Sequence, residues 1–513
     1  MAGTHHDVII IGSGAGGGTL AHRLADAGKR VLLLERGTFL PREKANWDTR
    51  EVFGKDRYHT QETWVDAKGH ELRPGTGYWV GGNTKVYGAA LLRLRERDFD
   101  RVEHVGGVSP AWPLSYADMA PYYTRAERLY GVHGRRGADP TEPPMEADYP
   151  FPPVSHEPRI QQLHDDLVAK GLHPFHVPLG VRLDERDPAA SACIRCDTCD
   201  GFPCLVDAKA DSDITCVRPA LRSGHVTLQT GAKVLQLHTS PSGREVTEVE
   251  YELEGVSHTA RGDLVVVACG AINSAVLLLR SANERHPRGL ANGSDQVGRN
   301  FMKHVNGAML AIGTVENPTV FQKTLAVNDY YWGEPGFDHP MGHIQLLGKA
   351  NKEMLALDAP KLAPGKVLAE MARHSIDWWL TTEDLPDPTN RVRLDDQRIV
   401  LDYRENNTRA FDRLVKRWKQ VLRSVSCGEG FHALGLYFKK KIPLAGVAHQ
   451  VGTCRFGHDP ATSVLDVHCR AHELSNLYVV DGSCFPSSAA VNPSLTIMAN
   501  ALRVGDHLVE EVL

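Results

Sequence analysis

Two stretches of this 513-residue chain place reactive or ligand-binding groups at meaningful spacings. Gly12-Ser13-Gly14-Ala15-Gly16-Gly17 matches G-x-G-x-x-G, the spacing that brings backbone close to a pyrophosphate. Gly12 permits a tight turn, Gly14 admits the ligand, and Gly17 lets the following helix pack on the preceding strand. Cys193, Cys196, Cys199 and Cys204 lie 3, 3 and 5 residues apart, a pattern that suits zinc or an iron–sulfur cluster. His468-Cys469 with His472 also has metal-like spacing, but reads as a surface turn. The chain carries 25 histidines, so residue type alone singles out none as a base.

The elements around the glycine motif decide its meaning. Asp7-Val-Ile-Ile-Ile-Gly12 reads as a buried parallel strand that stops at glycine. A helical pattern follows, with Leu20, Leu24 and Ala27 on one face and Gly28 as its stop. Arg30-Val-Leu-Leu-Leu34 is a second strand ending at Glu35, whose carboxylate can accept from a ribose diol. The helix N-terminus adds free amides and a positive dipole end. Glutamate rather than arginine argues against a 2′-phosphate, while NAD and FAD both fit. Leu264–Ala268 and Leu477–Val480 read as further strands, and Asn492–Leu513 as a terminal amphipathic helix opening at Pro493. A nucleotide domain interrupted by long insertions fits this order better than two domains in series.

Composition narrows the class. With 42% hydrophobic and 24% charged residues, the chain is not of the disordered or low-complexity kind. The 58 Lys and Arg against 63 Asp and Glu give a net charge of −5, with no electrostatic footprint for nucleic acid. The longest apolar stretch, Leu264–Leu279, is interrupted by Asn273 and Ser274, so no membrane span is expected. Met1–Asp7 has no basic n-region, so no secretory signal is read and a cytoplasmic address is expected. The 10 cysteines then read as thiols or ligands rather than a disulfide framework.

Several separated phrases resemble the glucose-methanol-choline (GMC) flavoprotein oxidoreductases over nearly the whole chain. They are the Gly12–Glu35 unit, Val80-Gly-Gly-Asn-Thr-Lys-Val-Tyr-Gly88, and Trp112-Pro-Leu-Ser-Tyr-Ala-Asp118 with Pro121-Tyr-Tyr123. Ala268-Cys-Gly-Ala-Ile-Asn-Ser274 and Val297-Gly-Arg-Asn-Phe-Met-Lys-His304 follow in the family's order. The last are His449-Gln-Val-Gly-Thr453, Asp481-Gly-Ser483 and Asn492-Pro-Ser-Leu-Thr496. Asn328–Trp332 and Pro340–Gln345 are similar to phrases of the bacterial pyranose oxidase and C-glycoside 3-oxidase group.

The resemblance implies an α/β fold: a Rossmann-like FAD-binding domain with an inserted antiparallel-sheet substrate-binding domain. The expected FAD domain is 1–100, 201–310 and 446–513, and the substrate domain 101–200 and 311–445. The resemblance implies that His449 is the base and that Asn492 bonds the same substrate oxygen. Blandly read, Asn492 before Pro493 is a helix N-cap. Implied cofactor contacts are Gly12, Gly14, Ala15 and Gly17, then Glu35 and Arg36, then Gly81, Gly82, Asn83 and Thr84. Val234 is placed near the adenine, with Ala268, Gly270, Asp481, Gly482, Asn492 and Thr496 completing the set. Gln345 is a candidate sugar contact or an ordinary outward strand glutamine.

The implied reaction oxidises a secondary hydroxyl of a pyranose or glycoside to a keto sugar, with dioxygen or a quinone reoxidising the flavin. Val86 stands where fungal pyranose oxidases carry their flavin-linking histidine, so FAD is expected to be non-covalent. No metal is expected, because related sequences carry a similar cysteine phrase that need not hold one. The alternative is a GMC dehydrogenase passing electrons through a cysteine-bound cluster. Lys439-Lys-Lys441 reads as a solvated loop.

Overall fold

The computed structural model describes residues 5–360, 362–425, 436–446 and 448–513, with backbone alone at 436–438. Two large sheets organise it. The first comprises β1 (His6–Ile11), β2 (Val31–Glu35), β4 (Val226–Thr230), β5 (Gly262–Val267) and β11 (Leu477–Val479). All its pairings are parallel, in the order β4-β2-β1-β5-β11. Ile9 sits between Leu32 and Val265, so the central strands read as unbroken apolar runs.

Helix α1 (Ala15–Asp26) leaves β1 through the glycine turn. A Cβ on Gly16 would fall 1.9 Å from Val480 O, and one on Gly17 2.0 Å from Gly12 O. Both glycines therefore let helix and sheet close together. Helix α1 packs against α5 (Ser494–His507), which also packs on α2 (Tyr116–Leu129). Ser115 and Asp118 form a capping box at the start of α2.

The second sheet comprises β3 (Phe175–His176), β6 (Val305–Ile312), β7 (Leu325–Val327), β8 (His343–Leu346), β9 (Ser375–Thr382) and β10 (Leu436–Lys441). It is antiparallel, in the order β10-β6-β9-β8-β7-β3. The expected boundary at 310 falls inside β6. One row of this sheet runs Ala326, Gln345, Trp379, Ala308, Lys440. Neighbours in a row share a face, and Gln345, Trp379 and Lys440 all line the central cavity. The opposite face buries Trp378 against Trp418 of α4 (Thr408–Ser424), with ring centroids 4.7 Å apart.

Lys439–Lys441 is thus an edge strand, not a solvated loop. Alternation sends Lys440 toward the cavity, while Lys439 and Lys441 lie over Phe411 and pair with Asp412 and Glu405. Lysines suit this place because an edge must discourage further pairing. Cys469 is likewise fully buried rather than at the surface, with Asn500 Nδ2 3.4 Å from its sulfur. No described helix is long and apolar enough to cross a membrane.

Candidate active site

A continuous cavity of about 780 Å³ runs between the sheets. At one end are Gly12–Gly16, Glu35, Arg36 and Val234. At the other are His449, Asn492, Gln345 and Trp379. Three helices open on it: α1 at Gly14, α3 (Ala271–Arg280) at Gly270, and α5 at Pro493. None has a side-chain cap or an acid in its first turn. Their N-terminal amides and dipoles therefore favour an anionic or electron-rich ligand.

The acids near the cavity mostly hold the protein together. Glu35 accepts from Ser13 N (3.0 Å), Ser13 Oγ (2.6 Å) and Gly37 N (2.9 Å). One lone-pair position on Oε1 is left for a ligand. Burial raises its pKa, while these hydrogen bonds oppose that shift. Asp481 is fully committed: Oδ2 takes Gly270 N and Ser274 Oγ, and Oδ1 takes Ser483 N and Ser483 Oγ. What this turn can offer a ligand is backbone. The second glycine loop is pinned by Gly81 N to Ser13 Oγ (3.0 Å), and Ser212 N donates to Thr84 Oγ1 (2.9 Å). Beneath it, buried Lys85 bridges Asp211 and Asp213, 3.0 Å from each.

At the far end, His449 and Asn492 are half-buried, and both line the cavity. His449 Nδ1 lies 3.0 Å from His304 Nδ1, and His304 Nε2 lies 3.0 Å from Ser488 O. His449 Nε2 and the Asn492 amide have no partner among the described residues, and neither is sealed off from open volume. Asn492 does not cap α5; Pro493 holds the cap position. Burial, then His304 and His343, lowers the His449 pKa to about 3. His304 and His343 are each held at about 4, chiefly by burial. The His449 pKa is thus well below the ordinary imidazole value of about 6.5 that suits a base at working pH.

Gln345 faces inward, 3.0 Å from His343 Nε2, and His343 Nδ1 contacts Asn328 Oδ1 at 2.7 Å. Asn328 in turn donates to Asp139. The glutamine is therefore held by a buried chain rather than facing solvent.

The N-terminal GMC oxidoreductase family pattern matches residues 7–306, and the C-terminal one residues 386–501. The chain belongs to the GMC oxidoreductases. This GMC chain is 34% identical to 6'''-hydroxyparomomycin C oxidase of Streptomyces lividus, over 97% of its own length and 90% of the relative's. It is 32% identical to paromamine 6'-oxidase of Streptomyces fradiae, with the same coverage. The solved pyridoxine 4-oxidase of Mesorbium loti shares the fold, with a TM-score of 0.66 at 18% identity over 98% of this chain and 99% of that one.

GMC oxidoreductases bind FAD, and the cavity fits it. A Cβ on Gly14 would meet nothing nearer than Gly82 Cα at 3.9 Å, so that backbone stands open for close approach. The helix ends that open on the cavity at Gly14 and Pro493 suit a pyrophosphate and an electron-rich ring. Three expected cofactor residues do not reach the cavity. Gly17 packs against Gly12, Gly81 lies against Asp213, and Thr496 is buried beside Tyr123 with Oγ1–OH 2.8 Å. Gly16 and Gly82 line it in place of the first two.

Sequence reading missed Tyr78, Arg280 and Trp379, and gave no role to His304 or His343. Arg36 stacks on Tyr78, 3.7 Å from the ring centroid. Trp379 was legible in principle, as the alternate face of an aromatic strand; Arg280, at the end of an ordinary helix, carried no signal. Among the described residues, no three of His, Cys, Asp or Glu converge to hold a metal ion. In the cysteine run, Cys193 and Cys199 are buried and free. Lys323 Nζ lies 3.8 Å from Cys199 Sγ.

Proposed function

We propose that this protein oxidises a hydroxyl of a pyranose sugar or glycoside to the carbonyl, with His449 as the base. The observation carrying this reading is that the Nε2 of His449 and the carboxamide of Asn492, unpartnered among the described residues, belong to residues lining one end of a dinucleotide-sized cavity. Bound FAD supplies the acceptor for the two electrons and hydrogen leaving the carbon. His449 Nε2 takes the hydroxyl proton, and the Asn492 amide bonds the same oxygen and fixes its direction. Gln345 and the face of Trp379 provide a polar group and an apolar plate, the combination a sugar ring needs. Gly12, Gly14, Ala15, Glu35, Arg36, Gly82, Asn83, Thr84, Val234, Ala268, Gly270 and Gly482 would hold the cofactor, Asp481 acting through its backbone. Val86 at the loop supports non-covalent FAD. Dioxygen or a quinone would complete the cycle. Segments 1–100, 201–310 and 446–513 would carry the cofactor, and 101–200 and 311–445 the substrate face, with the change of sheet before β6.

A secondary hydroxyl of a neutral pyranose or glycoside is the first candidate. The two Streptomyces relatives, a 6'''-hydroxyparomomycin C oxidase and a paromamine 6'-oxidase, favour a second reading, oxidation of a hydroxyl of an aminoglycoside. Anaerobic mixing of the FAD-loaded protein with glucose, methyl glucosides and paromamine separates them by which one bleaches the flavin. His449→Ala should stay yellow and lose reduction by about 100-fold or more. Unchanged reduction would remove His449 from the chemistry. No bleaching of the wild-type protein across the panel would remove the sugar reading.

A further inference from the structure

The segment ending at His304 adopts unusual backbone angles. Asn300 and His304 have φ of 60° and 64°, and Ala489, facing them, has φ of 50°. Non-glycine residues stay in that left-handed region only where their surroundings hold them. Here the holders are Glu383 and Asp384, just after β9. Glu383 accepts from Ala489 N (3.2 Å) and Ser109 Oγ (2.6 Å). Asp384 accepts from Lys303 N (2.9 Å), and its carbonyl accepts from Ser488 Oγ (3.0 Å). Two consecutive acids thus grip both the segment bearing His304 and the turn bearing the Ser488 carbonyl. A further tie runs from Trp112 Nε1 to Ser487 Oγ (2.8 Å).

That grip has a consequence for protons. A carbonyl oxygen only accepts, so the Nε2 of His304 facing Ser488 O carries a hydrogen. In a neutral ring Nδ1 is then bare and can only accept. The hydrogen between the two rings must sit on His449 Nδ1. A neutral His449 is then bare at Nε2. We infer that His304 is a positioning residue, clamped to the Ser488 carbonyl so as to fix His449 in the tautomer whose Nε2 lone pair faces the substrate hydroxyl. The inference rests on the reading of His449 as the base. When Nε2 takes the hydroxyl proton, the O–H bond breaks, an N–H bond forms, and the resulting cation keeps an acceptor at its other nitrogen. A second proton on His304 would reverse the chain, putting the hydrogen of His449 on Nε2. The charged and titratable groups facing the pair are His343, Lys303 and Glu383.

Three variants separate an acceptor role from a packing role. His304→Asn can place a carbonyl oxygen where Nδ1 stands. His304→Gln can keep the donor to Ser488 but lacks that acceptor. His304→Phe keeps only ring volume. The direct measurement is the ¹⁵N imidazole spectrum of the FAD-loaded, histidine-labelled protein, with His449 assigned from its loss in His449→Asn. The expected spectrum shows bare Nε2 and protonated Nδ1 in wild type and His304→Asn, and mixed tautomers in His304→Gln and His304→Phe.

Flavin reduction, using whichever of glucose, methyl glucoside or paromamine reduces wild type fastest, should slow about 100-fold in the Gln and Phe variants. It should slow less than about 10-fold in the Asn variant, with kcat moving more than KM. Wild-type tautomer and rate in His304→Gln would overturn the inference even if His304→Phe does not fold. If His449→Ala is still reduced by substrate, the base assignment fails instead, and the spectrum still answers for the tautomer.

Discussion

A histidine in water titrates near pH 6.5, but here burial beside two other imidazoles moves His449 to about 3. His449 is therefore unprotonated throughout the neutral range, as the proposed role of base requires. We expect kcat/KM to stay level from pH 8 down to about 5 and to fall only below that. A single acid limb near pH 6.5 in a pH–rate profile would contradict this environment for His449. At Glu35 burial likewise disfavours the charged form, but three donors oppose that shift and require an acceptor there. Glu35→Gln would turn an N–H₂ toward at least one of them, a loss of about 1–3 kcal/mol. Urea titration should show that loss, together with weaker retention of FAD.

At the scale of the element, the glycine turn does two jobs that substitutions can separate. Alanine at Gly16 would drive its Cβ into Val480 O at 1.9 Å, so strand and helix must part. Gly16→Ala should give little soluble folded protein. Alanine at Gly14 meets open space, and its φ of −69° suits any residue. Gly14→Ala should fold with near-wild-type melting when stripped of cofactor, yet bind FAD at least 10-fold more weakly in a fluorescence titration. Equal behaviour of the two variants would show that close packing and ligand approach are not divided in this way. The antiparallel sheet works by rows: Trp379 and Lys440 act on the cavity because pairing puts them level with Gln345.

For the whole molecule, cofactor and protons should both appear in stability. The cavity draws its walls from residues 11 to 497, so FAD bridges elements far apart in the chain. Free FAD at 100 times its Kd should stabilise the fold by about 2.7 kcal/mol, read as a rise in Tm with cofactor concentration. Protons act the other way. His176, His304 and His343 titrate at about 4 and His449 at about 3 in the fold, against 6.5 when unfolded. Between those values the unfolded chain binds more protons, so stability rises with pH across the window and is lost as pH falls from 6.5 toward 4. A cofactor-free protein whose Tm is level from pH 6.5 to 4 would contradict these buried neutral rings.

Local sequence determined the strand–glycine–helix unit, the acid at the end of β2, and the loop of small residues beside it. Each follows from a short-range rule: backbone freedom at glycine, β-branched runs, helix stops. The order of the motifs likewise carried the family, and by resemblance it singled out His449 and Asn492, which line the same cavity. Tertiary structure alone decided that Gly16 and Gly82 line the cavity rather than Gly17 and Gly81, because it sets which stretch of backbone faces the open volume. It also decided that three lysines form an edge strand, since pairing with β6 supplies the hydrogen bonds their own propensity does not favour. Above all it put His304 against His449, 145 residues away. No spacing rule spans that distance; the backbone pairing of Met302 with Val451 brings the two segments together and the rings within a hydrogen bond.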